Sequence, residues 1–244
     1  NYFVTVTDAL GCSDTTSVII TQPNLLIASI ASSVNVSCFN GSDGEAIVTA
    51  TGGTQPYSYY WSNGNTTALN SGLAAGNYFV TITDALGCSD TASVIISQPN
   101  LLIASIISSV NVSCFNGSDG STLVTASGGT QPYSYYWSNA NTTAHNSGLS
   151  AGNYFVTVTD ALGCSDTASV VIAPPSVLVA SIAISVSVSC FNGSDGEAIV
   201  TATGGTQPYS YYWSNANTTA HNSGLAAGNY LVTVTDALGC SDTA

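Results

Sequence analysis

The sequence GNYFVTITDALGCSD at Gly76–Asp90 decides the fold, because it combines a clear strand–turn–strand pattern with an internal repeat. It returns almost unchanged at Gly152–Asp166 and at Gly228–Asp242, so successive copies are 76 residues apart. Two other runs keep this period, SCFNGSDG from Ser37 and GGTQPYSYYWSN from Gly52. A unit of this length is too long for one coil of a solenoid and fits a small independent domain.

Each copy contains short segments rich in β-branched and aromatic residues, separated by Gly, Asn, Asp or Pro. Such segments are typical of strands, and no segment shows a helical apolar period with caps. Six or seven strands in one period predict an all-β, immunoglobulin-like β-sandwich. The predicted strands are Glu45–Thr51, Tyr57–Ser62, Asn77–Thr83, Thr91–Ser97 and Leu101–Val112, the last as one long strand or two.

Alternation within these strands indicates which side chains face the core. Successive strand residues point to opposite faces, which predicts a core of Trp61, Tyr59, Tyr78, Val80 and Ile82. Tyr78 also has the spacing of a tyrosine corner, in which the hydroxyl bonds back to the preceding loop. Immunoglobulin domains carry a cysteine two residues after that tyrosine. Val80 stands there, so a true immunoglobulin domain is not expected.

Proline-containing dipeptides, Gln22-Pro23, Gln98-Pro99 and Pro174-Pro175, mark the predicted domain boundaries. Apolar strand residues flank them without a Gly/Ser linker, and proline favours an extended backbone. The domains should therefore follow one another as a stiff head-to-tail rod. The predicted division is a remnant of a preceding repeat at 1–22, whole repeats at 23–98 and 99–174, and a repeat lacking its last strand at 175–244. The sequence is expected to be a window cut from a longer array.

Composition excludes several classes of function. The chain has 244 residues, 13 carboxylates and no lysine or arginine, which gives a formal net charge of −13. Nucleic-acid binding and attraction to an anionic membrane surface both depend on basic side chains. We therefore expect neither a nucleic-acid partner nor membrane insertion. A hydrophobic fraction of 45% is that of a folded protein, and the few ionisable side chains argue against an enzyme.

The seven cysteines are separated alternately by 26 and 50 residues, which leaves two pairings that respect the repeat. Pairing across 50 residues gives Cys38–Cys88, Cys114–Cys164 and Cys190–Cys240, each inside one domain. Pairing across 26 residues gives Cys12–Cys38, Cys88–Cys114 and Cys164–Cys190, each across a proline junction. We prefer the first, because a small domain with a thin core gains most from an internal cross-link, about 4 kcal/mol in the chain-entropy model. Buried free thiols are the third possibility.

Three motifs in each copy resemble those of the SprB-type repeat: VSCFNGSDG at Val36–Gly44, TGGTQPYSYYWSNG at Thr51–Gly64 and LAAGNYFVTITDALGC at Leu73–Cys88. That repeat is found in giant cell-surface adhesins of gliding bacteria. The resemblance covers almost the whole chain. It implies tandem immunoglobulin-like domains, an extracellular location, export by the type IX pathway and no catalytic residues.

The bacterial setting implied by this resemblance makes an Asp-Thr-small pattern a candidate O-glycosylation signal. The pattern occurs once in every copy, and a hydrated glycan would help to keep the array soluble. The alternative is a turn in which the aspartate caps the backbone before the last strand. The predicted acceptors are Thr15, Thr91, Thr167 and Thr243.

A second candidate site is a tyrosine on the strand face opposite the core tryptophan. If that face is open, the ring offers a stacking surface for a sugar, joined by outward-facing Phe79 and Phe155. The alternative, which we favour, is that the tyrosine packs within the second sheet or against a neighbouring domain. The possible carbohydrate contacts are Tyr60, Tyr136 and Tyr212.

Calcium is the natural ion for an all-acidic chain, and Asn40–Glu45 resembles a calcium loop loosely. The ligand order of an EF-hand is missing, and Ser121 replaces Glu45 in the second copy. Asp43-Gly44 therefore fits a turn better, and we expect no metal site and no cofactor.

Together these features predict a structural and adhesive segment of an extracellular filament, involved in surface adhesion or gliding. Its expected partners are other filament domains and a polysaccharide or cell-surface glycan. The alternative function is a carbohydrate-binding array with one weak aromatic site in every domain.

Overall fold

The computed structural model describes all residues from Asn1 to Ala244, and every regular element is a β-strand. The chain divides into two compact units, Asn1–Asn100 and Leu101–Ala244. The chain contains no helix, and so none long and apolar enough to cross a membrane. The all-β prediction is confirmed.

The first unit begins with an antiparallel hairpin of β1 (Tyr2–Thr7) and β2 (Ser13–Val18), in which every residue is exposed. Six further strands form one repeat. They are β3 (Ile27–Val34), β4 (Gly44–Thr51), β5 (Ser58–Trp61), β6 (Leu69–Leu73), β7 (Gly76–Thr83) and β8 (Ser89–Ile96).

These six strands form two antiparallel sheets of three. The first sheet has the order β3-β4-β6 and the second the order β5-β7-β8. The sheets face each other across a core that contains Trp61, Val48, Val80 and Ile82, all essentially inaccessible to solvent. Burial of such apolar side chains is the dominant favourable contribution to folding. The result is a β-sandwich, as the strand pattern predicts.

The second unit holds two further copies of the same six strands. The second copy comprises β9 (Ile103–Val110), β10 (Gly120–Ser127), β11 (Ser134–Trp137), β12 (His145–Leu149), β13 (Gly152–Thr159) and β14 (Ser165–Ile172). The third comprises β15 (Val179–Val186), β16 (Gly196–Thr203), β17 (Ser210–Trp213), β18 (His221–Leu225), β19 (Val232–Thr235) and β20 (Ser241–Thr243). No strand of one copy pairs with a strand of another.

The structure refines the predicted core and strands. Trp61, Val80 and Ile82 are fully buried, whereas Tyr59 and Tyr78 pack partly buried against them. The region after Asn100 forms one strand, β9, instead of two. The sequence pattern does not predict strand β6, because LNSGL carries residues with low strand propensity. The division at 1–22, 23–98, 99–174 and 175–244 stays a prediction.

Candidate binding face and the cross-link between repeats

The outer face of the second sheet carries a row of three side chains. Tyr60 lies directly opposite Thr81, and Thr81 lies directly opposite Thr91. Residues in direct cross-strand register share a face, so these three point away from the core. Phe79, two residues before Thr81, lies on the same face. We call Tyr60, Phe79, Thr81 and Thr91 the outer aromatic face.

Tyrosine in this row is open to solvent in every copy. Tyr60 is 65% exposed, and Tyr136 and Tyr212 are both 62% exposed. Phe79 and Phe155 are exposed as well, with Leu231 at the corresponding position of the third copy. The favoured alternative, in which the tyrosine is packed, is therefore wrong, whereas binding of a carbohydrate stays a prediction.

The neighbouring tryptophan fixes the direction in which Tyr60 points. Trp61 is completely buried, and its indole Nε1–H donates to the carbonyl oxygen of Thr67 at 2.9 Å. Because side chains alternate along a strand, anchoring Trp61 inward turns Tyr60 outward. The first residue after β5 is also bonded to β7, since the amide of Phe79 donates to the hydroxyl of Ser62 at 3.2 Å.

The predicted tyrosine corner is present in all three copies. The hydroxyl of Tyr78 donates to the carbonyl oxygen of Ala74 at 3.0 Å. The equivalent distances are 3.0 Å from Tyr154 to Ser150 and 3.2 Å from Tyr230 to Ala226. This bond holds the loop that leads into the central strand of the second sheet.

The four threonines of the Asp-Thr pattern are all exposed. The aspartate before the threonine has a structural role in the three sandwiches, but it lies within a strand and does not cap a turn: the carboxylate of Asp90 accepts the amide of Ala28 at 2.8 Å and joins β8 to β3, and Asp166 and Asp242 make the same bond. Hydrogen bonds from Ala28 and Thr91 hold the pKa of Asp90 below its usual value, although burial opposes them. Glycosylation of Thr15, Thr91, Thr167 and Thr243 stays a prediction.

Two further carboxylates of the first repeat accept hydrogen bonds from donors of the protein itself. Asp84 is buried, and it accepts amides from Leu86 and Cys88 at 2.9 Å on one oxygen and from Thr54 at 2.9 Å on the other. Burial alone would raise the pKa of Asp84, but these donors lower it on balance. Asp43 accepts the amide of Ser37 at 3.0 Å and also its hydroxyl. No group of three or more metal-ligating side chains occurs in the chain.

The cysteines do not pair as the sequence analysis prefers. Cys114 is bonded to Cys240, 126 residues away, with their Cα atoms 5.5 Å apart. Cys12, Cys88 and Cys190 are exposed free thiols. This arrangement excludes all three preferred pairs, Cys38–Cys88, Cys114–Cys164 and Cys190–Cys240. It also excludes the three pairs of the alternative, Cys12–Cys38, Cys88–Cys114 and Cys164–Cys190. Cys38 and Cys164 are each disulfide-bonded.

The two cysteines of one copy do not pair because strand β8 separates them. Cys88 precedes β8, whereas Cys38 lies beyond its far end, where the amide of Val36 donates to the carbonyl oxygen of Ser97. The eight residues of β8 span about 26 Å at 3.3 Å per residue, and a disulfide needs Cα atoms within about 7 Å. The two cysteines of one sandwich therefore lie at opposite ends of it.

The observed bond joins the end of one sandwich to the beginning of the next. The loop of Cys114 follows β9, and the turn of Cys240 lies between β19 and β20. The sulfur of Cys240 is 3.2 Å from the carbonyl oxygen of Ser113. A cavity of about 420 Å³ beside the bond is lined by Phe115, Leu178 and Asp236 among others. The second and third copies are thus covalently linked in addition to their peptide connection.

Comparison with known families matches the same three copies. The SprB repeat family matches residues 30–66, 106–142 and 182–218. Each match runs from the first strand of a copy, through the Cys-Phe-Asn-Gly loop, to the turn after the buried tryptophan. None of the curated protein sequences matches this chain.

Several solved structures with tandem domains resemble the fold. The three N-terminal domains of the bacteriophage RB49 highly immunogenic outer capsid protein (Hoc) are 18% identical, with 88% of this chain and 85% of that chain covered and a TM-score of 0.43. The N-terminal eight immunoglobulin domains of Down syndrome cell adhesion molecule are 12% identical, with 96% and 38% covered and a TM-score of 0.35. The protocadherin GammaB4 extracellular domain is 12% identical, with 99% of this chain and 57% of that chain covered and a TM-score of 0.30.

Proposed function

We propose that the chain, in which three stretches match the SprB repeat family, is a structural and adhesive segment of an extracellular cell-surface filament. The observation that carries the proposal is the disulfide between Cys114 and Cys240, which joins successive domains instead of closing one. Disulfides persist in oxidising compartments, which supports a location outside the cell. The segment has a mechanical role and not an enzymatic one.

The mechanism is geometric. Repetition supplies length, the short proline junctions restrict bending, and the cross-link between repeats limits how far two domains separate under load. A head-to-tail arrangement of this kind would act as a stiff stalk in surface adhesion or gliding. Export by the type IX pathway and O-glycans on Thr15, Thr91, Thr167 and Thr243 belong to the same proposal.

Force spectroscopy on single oxidised chains tests the stalk. We expect stepwise unfolding in which the peptide between Cys114 and Cys240 stays hidden until the bond is reduced. Reductant, or substitution of both cysteines by serine, should lengthen the chain released in those steps. Equal extension with and without reductant would contradict the proposal. Peptide masses from the native surface protein test the glycans, and unmodified Thr91 and Thr167 peptides would remove them.

The second candidate function is carbohydrate binding, and the exposure of Tyr60, Tyr136 and Tyr212 favours it. Aromatic rings offer apolar faces to sugars, and three weak sites in one chain would add through avidity. The neighbouring Phe79 and Phe155 enlarge the surface in the first two copies. Because the ring and the acceptor threonine share a face, a glycan on Thr91 would compete with a bound polysaccharide.

A binding assay on immobilised polysaccharides tests this function. The variant carries Tyr60→Ser, Tyr136→Ser and Tyr212→Ser. The control carries three exposed substitutions on the other sheet, Leu69→Ser, His145→Ser and His221→Ser. Binding that the tyrosine variant loses and the control keeps would make each repeat an adhesive unit. Equal binding by both would exclude the outer aromatic face, and no binding by the parent would leave a stalk.

A further inference from the structure

Each repeat has four strands at the edges of its sheets, and three of them are protected from pairing with another chain. In the first repeat β3 and β8 cover each other, since the carboxylate of Asp90 accepts the amide of Ala28 at 2.8 Å. Strand β6 contains Gly72 with φ +72°, and the register between β6 and β4 shifts beside Gly44. Bulges and covered edges are the usual protection of an edge strand. The edge of β5 has neither.

The backbone of Tyr59 is open at the edge of β5. Strand β5 pairs with β7 on one side only. On the other side, the turn after β5 covers the end of the strand, because the amide of Trp61 donates to the carbonyl oxygen of Asn65 at 2.9 Å. Backbone groups of alternate residues face the same edge of a strand. The N–H and C=O of Tyr59 therefore face this edge too, where no strand pairs with them.

A second strand ladder stops at the same side of the sandwich. Strand β4 pairs with β6 from Gly44 to Ile47, and the amide of Val48 then donates to the carbonyl oxygen of Ala68 at 3.0 Å. The N–H and C=O of Ala50 face the same edge as those of Val48, beyond the end of the pairing with β6. Strand β4 thus also presents one backbone donor and one acceptor without a strand partner.

One groove of about 580 Å³ is lined by both Ala50 and Tyr59. Tyr57 also lines this groove, and its hydroxyl donates to the carbonyl oxygen of Gly52 at 2.5 Å. The equivalent tyrosines make the same bond at 2.6 Å in the second and third repeats. We call this groove, between the open edges of β4 and β5, the edge groove.

The two open edges select an extended peptide as the occupant. Successive residues of an extended chain direct their N–H and C=O groups to opposite sides. Neighbouring residues of one peptide can therefore bond Tyr59 on one side and Ala50 on the other. Packed sheets lie about 10 Å apart, which is about twice the spacing between paired strands, so one added strand fits between the two edges. A sugar ring lacks this alternation of donors and acceptors.

Charge and side-chain size define the peptide further. No carboxylate lines the edge groove, but the chain as a whole has a net charge of −13 and no lysine or arginine. Such a field repels acidic peptides and attracts basic ones. The small side chains of Ala50 and Ala68 leave room beside the rings of Tyr57 and Tyr59 for a β-branched side chain. The matching ligand has an uncharged centre rich in β-branched residues and basic ends.

We propose that each repeat binds an extended peptide of this chemistry as an added strand in the edge groove. Main-chain hydrogen bonds supply the affinity, and the groove selects the side chain that enters it. The edge groove lies between the two sheets, whereas the outer aromatic face lies on the outside of the second sheet. The proposal therefore rests on neither adhesion nor carbohydrate binding.

Fluorescence polarisation of the labelled peptide KVTVTVK, with blocked ends, measures binding to the purified full chain. One control peptide is EVTVTVE, which reverses the charge of the ends. The other is KVTVTVK with N-methyl groups on its central residues, which keeps the side chains and removes main-chain donors. We expect both controls to bind at least about tenfold more weakly. Equal binding by either control, or no binding of KVTVTVK, would overturn the proposal.

Amide hydrogen exchange measured by NMR locates the bound peptide. At a peptide concentration of about ten times Kd, exchange of the Ala50 and Tyr59 amides should slow by about tenfold. The equivalent amides of the other two repeats should respond in the same way. Soluble dextran should leave these amides unchanged. Slower exchange with dextran but not with KVTVTVK would assign the edge groove to sugars and overturn the proposal.

A proline variant removes the groove-facing amide of β4 in every repeat: Ala50→Pro, Ala126→Pro and Ala202→Pro. Proline is compatible with a strand where its missing N–H would face solvent. The control carries Ile95→Ser and Val171→Ser, which are exposed positions on β8 and β14 at the opposite edge of the second sheet. We expect at least about tenfold weaker binding of KVTVTVK by the proline variant and unchanged binding by the control.

Equal binding by a folded proline variant and the parent would overturn the proposal. The N-methylated peptide decides the same question on the unaltered chain, so the test does not depend on the folding of the variant. Loss of polysaccharide binding in the tyrosine variant of the outer aromatic face has no bearing on KVTVTVK, which keeps the outcomes for the two sites distinguishable.

Discussion

Replacing Cys114 and Cys240 by serine removes the cross-link between the second and third copies and leaves both sandwich cores intact. The bond closes a segment with a sequence separation of 126 residues. In the chain-entropy model a loop of that length stabilises the folded state by about 5 kcal/mol when both copies unfold together. When the third copy unfolds alone, the loop runs from the proline junction to Cys240, about 66 residues, and the same model gives about 4 kcal/mol.

Urea unfolding followed by tryptophan fluorescence measures this effect, since each copy has one buried tryptophan. The double serine variant should lose about 4 to 5 kcal/mol in the transitions of the second and third copies, and the first copy should unfold unchanged. Reductant should destabilise the parent at least as much as the double substitution does, because it also reduces the disulfide-bonded Cys38 and Cys164. Cys12→Ser is the matched control, because it removes a cysteine that is a free thiol on an exposed hairpin.

Peptide mapping must first verify the Cys114–Cys240 bond in the parent. The reasoning would then be refuted if the free energies of unfolding of variant and parent differed by less than about 1 kcal/mol, since closing a loop of this length should stabilise the parent by more. Mapping that gave Cys114–Cys164 instead would overturn the argument from the length of the strands.

Three further changes test the sandwich itself. Asn146→Ala should destabilise the second copy by about 1–3 kcal/mol in urea unfolding, because buried Asn146 makes two amide hydrogen bonds of 3.1 Å with Asn139. A loss of stability below about 0.5 kcal/mol would contradict this. Burial raises the pKa of Asp160, but hydrogen bonds from backbone amides, led by that of Thr130, lower it more, so the pKa lies below 3.8. Its contribution is therefore present above pH 3.8 and lost as the pH falls through the folded pKa, and Asp160→Asn should flatten the acid limb of urea midpoints measured from about pH 7 to about pH 2. Ala140 has φ +65° at the position where the first copy has glycine. Ala140→Gly should therefore stabilise the second copy by up to about 1 kcal/mol and raise its melting temperature. A lower melting temperature would contradict this.

Local periodicity in the sequence determined the fold and the orientation of most side chains. The 76-residue period indicates the number of copies, and the two-residue alternation places Trp61, Val80 and Ile82 inside and Tyr60 outside. These inferences succeed because the facing of a strand residue depends on its immediate neighbours. The tyrosine corner at Tyr78 is local as well, since donor and acceptor are only four residues apart.

Strand β6 shows where local reasoning ends. Its sequence LNSGL has a glycine with φ +72° and little strand propensity. It forms a strand because Leu73 fills the core and Asn70 is buried against Asn63, with two amide hydrogen bonds of 3.1 Å. Those contacts exist only after the two sheets have packed.

Tertiary structure alone decided the cysteine partners and the openness of the outer aromatic face. Sequence reasoning favours the bond within one copy, because a small domain with a thin core gains most from an internal cross-link. In the sandwich β8 holds Cys88 and Cys38 at opposite ends, so a cysteine finds its partner in another copy. The exposure of Tyr60 likewise depends on whether anything covers that sheet. Both are questions of three-dimensional distance between segments far apart in the chain, and neither spacing nor alternation encodes that distance.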